Sequence, residues 1–168
     1  MAKKTFRSSI AVGLAIALAA AALPPAQAAG SQPKQAAPAK ARDVSQANKA
    51  LVMKAYQELF GDHDLTALDR YWVKDYIQHN PSMGDGIEQV KVFLEKLGLQ
   101  NAQKFKVEFL RVAADGDLVF IQTRQPKMGN NPEMVIVDIF RVAKGKIAEH
   151  WDVMQPVPAD AVNKRPMY

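Results

Sequence analysis

The hydrophobic positions of the chain change their spacing near its middle. In the first part, apolar residues recur every three or four positions, which is typical of amphipathic helices. One such run follows Asp43, an N-cap candidate, and ends at Gly61. A second, short run covers residues 65–72. A third opens with a capping-box pattern at Asp85 and Glu88 and ends at Gly98. The spacing therefore predicts three helices.

From Phe105 onward, apolar and polar residues alternate, as in strands that are buried on one face only. The pair Asp115-Gly116 is a hairpin signal in this region. Three further predicted strands cover residues 118–125, 134–142 and 146–155. Three helices followed by four strands predict an α+β fold, with the helices packed on one face of an antiparallel sheet.

The first 28 residues have the pattern of a secretory signal peptide: a basic start, an apolar run and an A-x-A cleavage motif ending at Ala28. A retained membrane anchor is the alternative, but the apolar run is short and a Pro-Pro pair follows it. We expect a disordered tether over residues 29–43, a domain over 44–158 and a tail over 159–168. The protein is then exported, to the periplasm or out of the cell, and free of the membrane after cleavage.

Charge and cysteine content limit the classes of function. The whole chain has a formal net charge of +5, but from Val44 onward 16 basic residues balance 16 acidic ones. No basic field remains that could attract nucleic acid, so we expect no nucleic-acid partner. The chain has no cysteine, so its stability depends on the core of one modest domain.

Residues 143–146, Ala-Lys-Gly-Lys, form the turn between the last two predicted strands, and two pairings are open. A two-residue turn at Lys144-Gly145 needs positive φ at both positions, which lysine disfavours. A type I turn that ends in a G1 bulge puts only Gly145 in that conformation. We therefore expect the bulged turn, in which Val142 pairs with Lys146.

The choice of turn decides which side chains share a face of the sheet. In the bulged register Asp138 lies opposite His150 and diagonal to Asp152, whereas in the other register it faces Trp151. One predicted face holds Ile136, Asp138, Phe140, His150, Asp152 and Met154. The other holds Val135, Val137, Ile139, Arg141, Glu149, Trp151 and Val153.

Two carboxylates and an imidazole on one apolar patch have the composition of an acid/base site. Apolar surroundings and a second carboxylate raise the pKa of an aspartate, while a nearby His⁺ lowers it. The alternative is a hydrated sheet face that carries an ordinary cross-strand Asp–His pair. Asp138 favours the site, because an aspartate within "VIVDIF" is poorly suited to a strand unless it has a partner or a role.

A second candidate segment is "DYIQHNP", in which Pro81 favours an extended conformation for the residue before it. Alternation puts Ile77 and His79 on one side of this segment and Tyr76, Gln78 and Asn80 on the other. Because His79 shares its side with an apolar residue, it is either a site residue or a core histidine bonded to a backbone carbonyl.

Three stretches, "YIQHNP", "VDIFRV" and "GKIAEHWDVMQPVP", resemble the SnoaL-like polyketide cyclase family of the nuclear transport factor 2-like superfamily. The nearest resemblance is to bacterial SnoaL-like proteins described as aldol-condensation enzymes, over roughly residues 44–158. It implies a cone-shaped, curved antiparallel sheet wrapped around three N-terminal helices, with a pocket at its wide end. It also implies homodimers formed through the sheet.

The resemblance further implies acid/base chemistry without metal or cofactor. In the cyclases an aspartate near the end of the last strand is the acid/base, and this role carries over to Asp152. Asp138 stands where the cyclases have a histidine, so we expect His79 to supply an imidazole from across the pocket. The ligand-binding residues we expect are Asn80, His150, Phe140, Trp151, Met154 and Gln155.

Three functions are therefore open. The first is a cofactor-free enzyme acting on a small apolar carbonyl compound, with Asp152 as base and with His79 and Asn80 near the enolate oxygen. The second is a non-catalytic module that binds a small apolar ligand. The third is a metal site at His79, His150, Asp138 and Asp152, for which no H-x-x-x-H or H-x-H spacing exists, so we expect none.

Overall fold

The computed structural model describes residues 39–127 and 131–168. The predicted signal peptide and most of the predicted tether lie outside the described residues. The helices are α1 (Ala39–Tyr56), α2 (Ala67–Tyr71) and α3 (Ile87–Lys96), with a π-helical turn at Gln57–Gly61 and a 3₁₀ turn at Leu99–Asn101. The strands are β1 (Trp72–Gln78), β2 (Glu108–Asp115), β3 (Leu118–Gln125), β4 (Met134–Ala143) and β5 (Lys146–Pro156). No helix within the described ranges is long and apolar enough to cross a membrane.

The α+β class is confirmed, with a curved and unclosed sheet in the order β1-β5-β4-β3-β2. One strand was missed by the sequence reasoning. Residues Trp72–Gln78 form β1, which pairs in parallel with β5, so the sheet is mixed and not wholly antiparallel. The strand is short, and its pairing with residues about 70 positions later leaves no local signal.

Two helix starts differ from their predicted caps. Helix α1 begins at Ala39 and runs through Asp43, so the last residues of the predicted tether are helical. Helix α3 is preceded by Gly86, whose φ of 82° suits glycine, and no side chain caps it. Asp85 instead accepts a hydrogen bond from the Gln78 backbone amide at 2.9 Å, which ties the start of α3 to the end of β1.

The core lies between the helices and the inner face of the sheet, which carries the alternate residues that point toward α1. Its buried side chains come from every helix and from all five strands or their flanks. The largest that are essentially inaccessible are Phe140, Leu59, Leu68, Ile121, Ile147, Val52 and Val119. These residues pack the helices against the strands that carry the polar side chains of the inner face.

The β4–β5 turn is the one that the sequence reasoning rejected. Lys144 and Gly145 both have positive φ, 50° and 74°, and Ala143 pairs with Lys146, so this is a two-residue turn without a bulge. The bulge occurs later in β5. Val142 pairs with Ile147 and Arg141 with Glu149, which leaves Ala148 as the extra residue.

The displaced bulge restores the predicted faces of the sheet. Beyond it Phe140 lies opposite His150 and Asp138 opposite Asp152, and not Asp138 opposite His150 as expected. All four side chains still share the inner face. The physical reason is Ile147: with the bulge at Ala148 both Ile147, which is fully buried, and His150 point inward, whereas the predicted register turns Ile147 to the outside.

Candidate active site

A cavity of about 180 Å³ lies between the helices and the inner face of the sheet. Most of its wall is apolar, with contributions from Leu59, Phe60, Phe93, Leu94, Phe105, Ile136 and Met154. A smaller polar set lines the same cavity: Tyr56, Tyr76, Gln78, Asn80, Thr123, Arg124, Gln125, Asp138, His150 and Asp152. An apolar pocket with a few convergent polar groups is the usual form of a small-molecule site.

Asp138 and His150 form a buried pair at the centre of this polar set. The two residues are 4% and 6% exposed, and His150 Nε2 lies 2.9 Å from Asp138 Oδ1. The ring of Phe140 stacks on the imidazole with 4.6 Å between centroids, and Tyr76 stacks at 6.4 Å. The pair is therefore held between aromatic rings and largely screened from water.

Burial raises the pKa of Asp138 above its usual range, and the nearby charge of Asp152 adds to the rise. The hydrogen bond and the charge of His150 act in the opposite direction on that pKa. The second carboxylate oxygen of Asp138, Oδ2, is buried and makes no hydrogen bond of standard geometry among the described residues, although the Tyr56 hydroxyl is close enough to lower the pKa of Asp138 slightly. A buried carboxyl is costly as an anion, so Asp138 keeps its proton to higher pH than an exposed aspartate does.

Asp152 is in a different environment, because it is only half-buried and receives hydrogen bonds from an amide. Asn80 Nδ2 lies 2.9 Å and 2.7 Å from its two carboxylate oxygens. Asn80 Oδ1 accepts from the Ser82 backbone amide at 2.8 Å, which settles the orientation of the Asn80 amide group. Asn80 is itself buried, so the carboxylate of Asp152 is oriented by a fixed donor.

Two phenol groups complete the polar wall. The hydroxyl of Tyr56, at the junction of α1 and the π-helical turn, lies 3.3 Å from Thr123 Oγ1. Burial is the main reason that the pKa values of Tyr56 and Tyr76 lie well above the usual range of a phenol, and the charges of Asp138 and Asp152 raise them further. Both hydroxyls therefore stay protonated at neutral pH and can donate hydrogen bonds into the cavity.

The prediction that His79 faces Asp152 across the pocket is wrong. His79 lies on the outer face of the sheet, where its ring stacks on Trp151 at 4.7 Å and its Nε2 contacts Glu149 Oε1 at 2.9 Å. The alternation around His79 was interpreted correctly, but the inner side is the one that carries Tyr76 and not the one that carries Ile77. Tyr76 is 3% exposed and Ile77 is 48% exposed, because β1 places the larger aromatic ring in the core.

The expected ligand-binding residues divide between the two faces. Asn80, His150, Phe140 and Met154 line the cavity, together with Asp138 and Asp152. Trp151 and Gln155 do not; they belong to the outer face, opposite Ile139 and Val135. Alternation along β5 requires this division, since Trp151 and Gln155 are odd-numbered while His150, Asp152 and Met154 are even-numbered.

Six polar cavity residues were not predicted from the sequence: Tyr56, Tyr76, Gln78, Thr123, Arg124 and Gln125. Tyr76 and Gln78 could have been predicted, because alternation puts them on the same side of the segment as Asn80. Tyr56 fits the apolar stripe of its helix and Thr123 fits the alternation of its strand, so nothing local separates either from a packing residue.

Three of the four candidate metal ligands lie close together in the structure. Oxygen and nitrogen atoms of Asp138, His150 and Asp152 all lie within 4.8 Å of one another. However, both ring nitrogens of His150 already make hydrogen bonds, to Asp138 and to Gln78 Oε1. A metal at this site would have to displace one of them, so the hydrogen-bonded arrangement suits proton transfer better than coordination.

Similar proteins are found by family and by fold. The model of the SnoaL-like domain family matches residues 53–150. None of the curated proteins matches this chain. A structure described provisionally as a SnoaL-like polyketide cyclase, from Jannaschia sp. CCS1, is 20% identical and covers 66% of this chain and 89% of its own, with a TM-score of 0.54.

Two further structures share the fold. An NTF-2 like protein of unknown function from Burkholderia xenovorans LB400 is 16% identical, covers 70% of this chain and 89% of its own, and has a TM-score of 0.57. An LEH-like epoxide hydrolase from M. tuberculosis is 19% identical, covers 66% and 84%, and has a TM-score of 0.52. At these identities the likeness concerns the fold, whereas the family match spans more than half of the chain. The protein therefore belongs to the SnoaL-like domain family.

Proposed function

We propose that the protein is a cofactor-free acid/base enzyme that acts on a small, uncharged, largely apolar carbonyl compound. The observation that carries this proposal is the pair of aspartates in one apolar cavity. Asp138 is buried with a raised pKa, and Asp152 is half-buried and oriented by Asn80. Two carboxyl groups whose environments differ in this way can divide the roles of proton acceptor and proton holder.

In the proposed reaction, Asp152 removes a proton from the carbon next to the substrate carbonyl. The electron pair of the broken C–H bond moves to the carbonyl oxygen, and a phenol hydroxyl, from Tyr56 or Tyr76, stabilises the resulting enolate. The enolate then takes a proton back at another carbon, which is an isomerisation, or attacks a second carbonyl, which is an aldol condensation. In the second case the new alkoxide receives the proton that Asp152 holds.

Features of the relatives support this proposal. One fold neighbour is described provisionally as a SnoaL-like polyketide cyclase and another as an LEH-like epoxide hydrolase. Within this chain, Asp152 occupies the position that the family resemblance assigns to the acid/base. An anionic substrate is disfavoured, because two carboxyl groups line the same small cavity.

The test is proton exchange at carbon in deuterated water. A panel of small cyclic ketones and 1,3-diketones is incubated with the protein, and loss of the α-proton signal is followed by NMR. We expect the wild type to accelerate exchange for at least one compound, and Asp152→Asn to lower the rate by about 10²–10⁴-fold. Asp117→Asn is the matched control, since Asp117 is an exposed aspartate paired with Arg141 far from the cavity.

Melting temperatures separate a chemical role from a structural one. If Asp152→Asn loses activity with an unchanged melting temperature, the acid/base assignment stands. Compounds that bind the wild type without any exchange would favour the non-catalytic binding module instead.

We also propose that the protein is exported and forms a homodimer through the outer face of its sheet. Exposed apolar side chains support the dimer: Val137 and Val153 lie opposite each other and are 40% and 72% exposed, and Phe120 is 37% exposed. A polar substitution, Val153→Asp, should shift the mass measured by sedimentation from dimer to monomer, whereas a wild type that sediments as a monomer contradicts the proposal. Cleavage after Ala28 is checked by the N-terminal sequence of protein recovered from outside the cytoplasm.

A further inference from the structure

The buried pair of Asp138 and His150 extends to a third residue that the proposed reaction does not use. Gln78 Oε1 lies 2.9 Å from His150 Nδ1, on the side of the ring opposite Asp138. The same Oε1 lies 2.8 Å from the backbone nitrogen of Asn80. The three side chains thus form a row from the end of β1, across β5, to the middle of β4.

The backbone contact settles which atom of the Gln78 amide group faces the histidine. A backbone N–H can only donate, so the atom that it contacts must be the carbonyl oxygen of Gln78 and not its nitrogen. The Gln78 nitrogen points the other way, 3.4 Å from the Tyr76 hydroxyl and 3.9 Å from Met83 Sδ. Since Oε1 can only accept, the nitrogen of His150 that contacts it must carry a hydrogen.

We propose that Gln78 is a positioning residue that holds His150 in the Nδ1–H tautomer, so that His150 and Asp138 share one proton and act as a relay. Because the Nδ1–H of His150 donates to Gln78, a further proton within the pair can lie only between Nε2 and Asp138 Oδ1. A carboxyl and an imidazole joined by a single proton can pass it in either direction.

The relay changes what Asp138 can do in the cavity. When the buried Oδ2 of Asp138 takes up the proton that Asp152 has removed from the substrate, the proton on Oδ1 can move to His150 Nε2. The charge then lies on an imidazolium whose Nδ1–H still donates to Gln78. One proton enters at Oδ2 and one leaves Oδ1, so Asp138 returns to its starting charge.

Among the described residues, three other titratable groups face the pair of Asp138 and His150 and influence its protonation. They are the Tyr56 hydroxyl from α1, the Tyr76 ring from β1 and the Asp152 carboxylate from β5. Both phenols remain neutral at physiological pH, and Asp152 is a nearby group whose negative charge favours a cation on His150. Proton transfer to the histidine is therefore supported by a charge that is already in the cavity.

The tautomer can be measured without any substrate. The chain has three histidines, so a two-bond ¹H–¹⁵N spectrum of ¹⁵N-histidine-labelled protein is simple to assign, with His150→Gln to identify its ring. His63 is buried with Nδ1 at 3.0 Å from the Ala102 carbonyl oxygen, and His79 lies on the outer face, so the two are internal references. We expect His150 to show a protonated Nδ1 at neutral pH.

Substitutions at Gln78 test the cause of that tautomer. Gln78→Leu removes the acceptor, and we expect the ring of His150 to change to the Nε2–H form, which donates to Asp138. Gln78→Glu keeps an acceptor, so it should retain Nδ1–H and keep the imidazolium to higher pH. Gln122→Leu is the matched control, because Gln122 also accepts a side-chain hydrogen bond in the sheet, from Arg111, away from the pair.

Two results would overturn the proposal: a bare Nδ1 in the wild type, or an unchanged tautomer in folded Gln78→Leu. If Gln78→Leu does not fold, the test is the pH titration of His150 in Gln78→Glu. A titration that is the same as in the wild type would overturn the proposal.

The catalytic use of the relay rests on the proposed function, and we expect Gln78→Leu to slow α-proton exchange by about 100-fold. The two failures are distinguishable. An Nδ1–H tautomer without exchange activity refutes the reaction alone, whereas exchange activity with a bare Nδ1 refutes the relay alone.

Discussion

Replacing Asp138 with asparagine should stabilise the protein at neutral pH, although it removes a group of the proposed site. The sign follows from the raised pKa of Asp138 in the folded protein. Below about pH 3.8 the carboxyl is protonated in both the folded and the unfolded chain, so it contributes no penalty. Between that pH and the raised folded pKa, the unfolded chain releases a proton that the folded chain keeps, and stability falls by up to about 1.4 kcal/mol per pH unit.

The magnitude at neutral pH can be judged from the hydrogen bonds. Asp138 is buried with one hydrogen bond of standard geometry, to His150, and burying a carboxyl group that is charged in the unfolded chain costs on the order of 1–3 kcal/mol. Asparagine has the same shape and no charge, and its amide can donate to the bare Nε2 of His150. We therefore expect Asp138→Asn to raise the free energy of unfolding by about 1–3 kcal/mol at pH 7 and by close to zero near pH 4.

The assay is urea unfolding of wild type and Asp138→Asn at a series of pH values from 4 to 8. The difference between the two proteins reports the titration of Asp138 together with that of His150, which is coupled to it, because the remaining groups are shared. Asp117→Asn provides the control, since its exposed carboxylate should give a difference of less than about 1 kcal/mol. A variant that is less stable than wild type at pH 7, or a difference that does not grow with pH, would refute the reasoning.

Three other substitutions test the architecture around the site. Lys144→Asn should stabilise the protein by about 0.5–1 kcal/mol in urea unfolding, because φ of 50° suits asparagine in a two-residue turn better than lysine. Gly61→Ala should cost about 1–3 kcal/mol by the same measurement, because its added Cβ would lie 2.6 Å from the Phe105 carbonyl oxygen, and a wild-type stability would show that the turn can move. Trp151→Phe keeps an aromatic ring under His79 on the outer face, so α-proton exchange rates should match those of the wild type; a large loss would bring the outer face into the site.

Local patterns in the sequence predicted the elements of the fold well. The strand at Leu118–Gln125 has its predicted bounds, and Gly98, with φ of 71°, follows α3 where the apolar stripe ends. The composition of the inner face, with Asp138, His150 and Asp152 together, was also predicted. These features follow from periodicity and turn chemistry, which act between residues a few positions apart.

In the β4–β5 hairpin the predicted faces of the sheet are correct, although the predicted turn is wrong. The turn at Lys144 avoids the predicted bulge, and the bulge at Ala148 returns the strand to the predicted faces. The predicted turn rested only on the disfavoured positive φ of Lys144. Burial of Ile147 also affects the register, because burying an isoleucine is worth about 1.5–3 kcal/mol, enough to offset the roughly 1–2 kcal/mol that a left-handed lysine costs.

What the sequence by itself determined is which residues share a side: Ile77 with His79, Tyr76 with Gln78 and Asn80. What only the tertiary structure decided is which of those sides faces the core. That choice depends on the parallel pairing of β1 with β5, about 70 residues away, which buries Tyr76 and brings Gln78 to the imidazole of His150. A period of two assigns side chains to two faces, but only packing against distant segments makes one of those faces the inside.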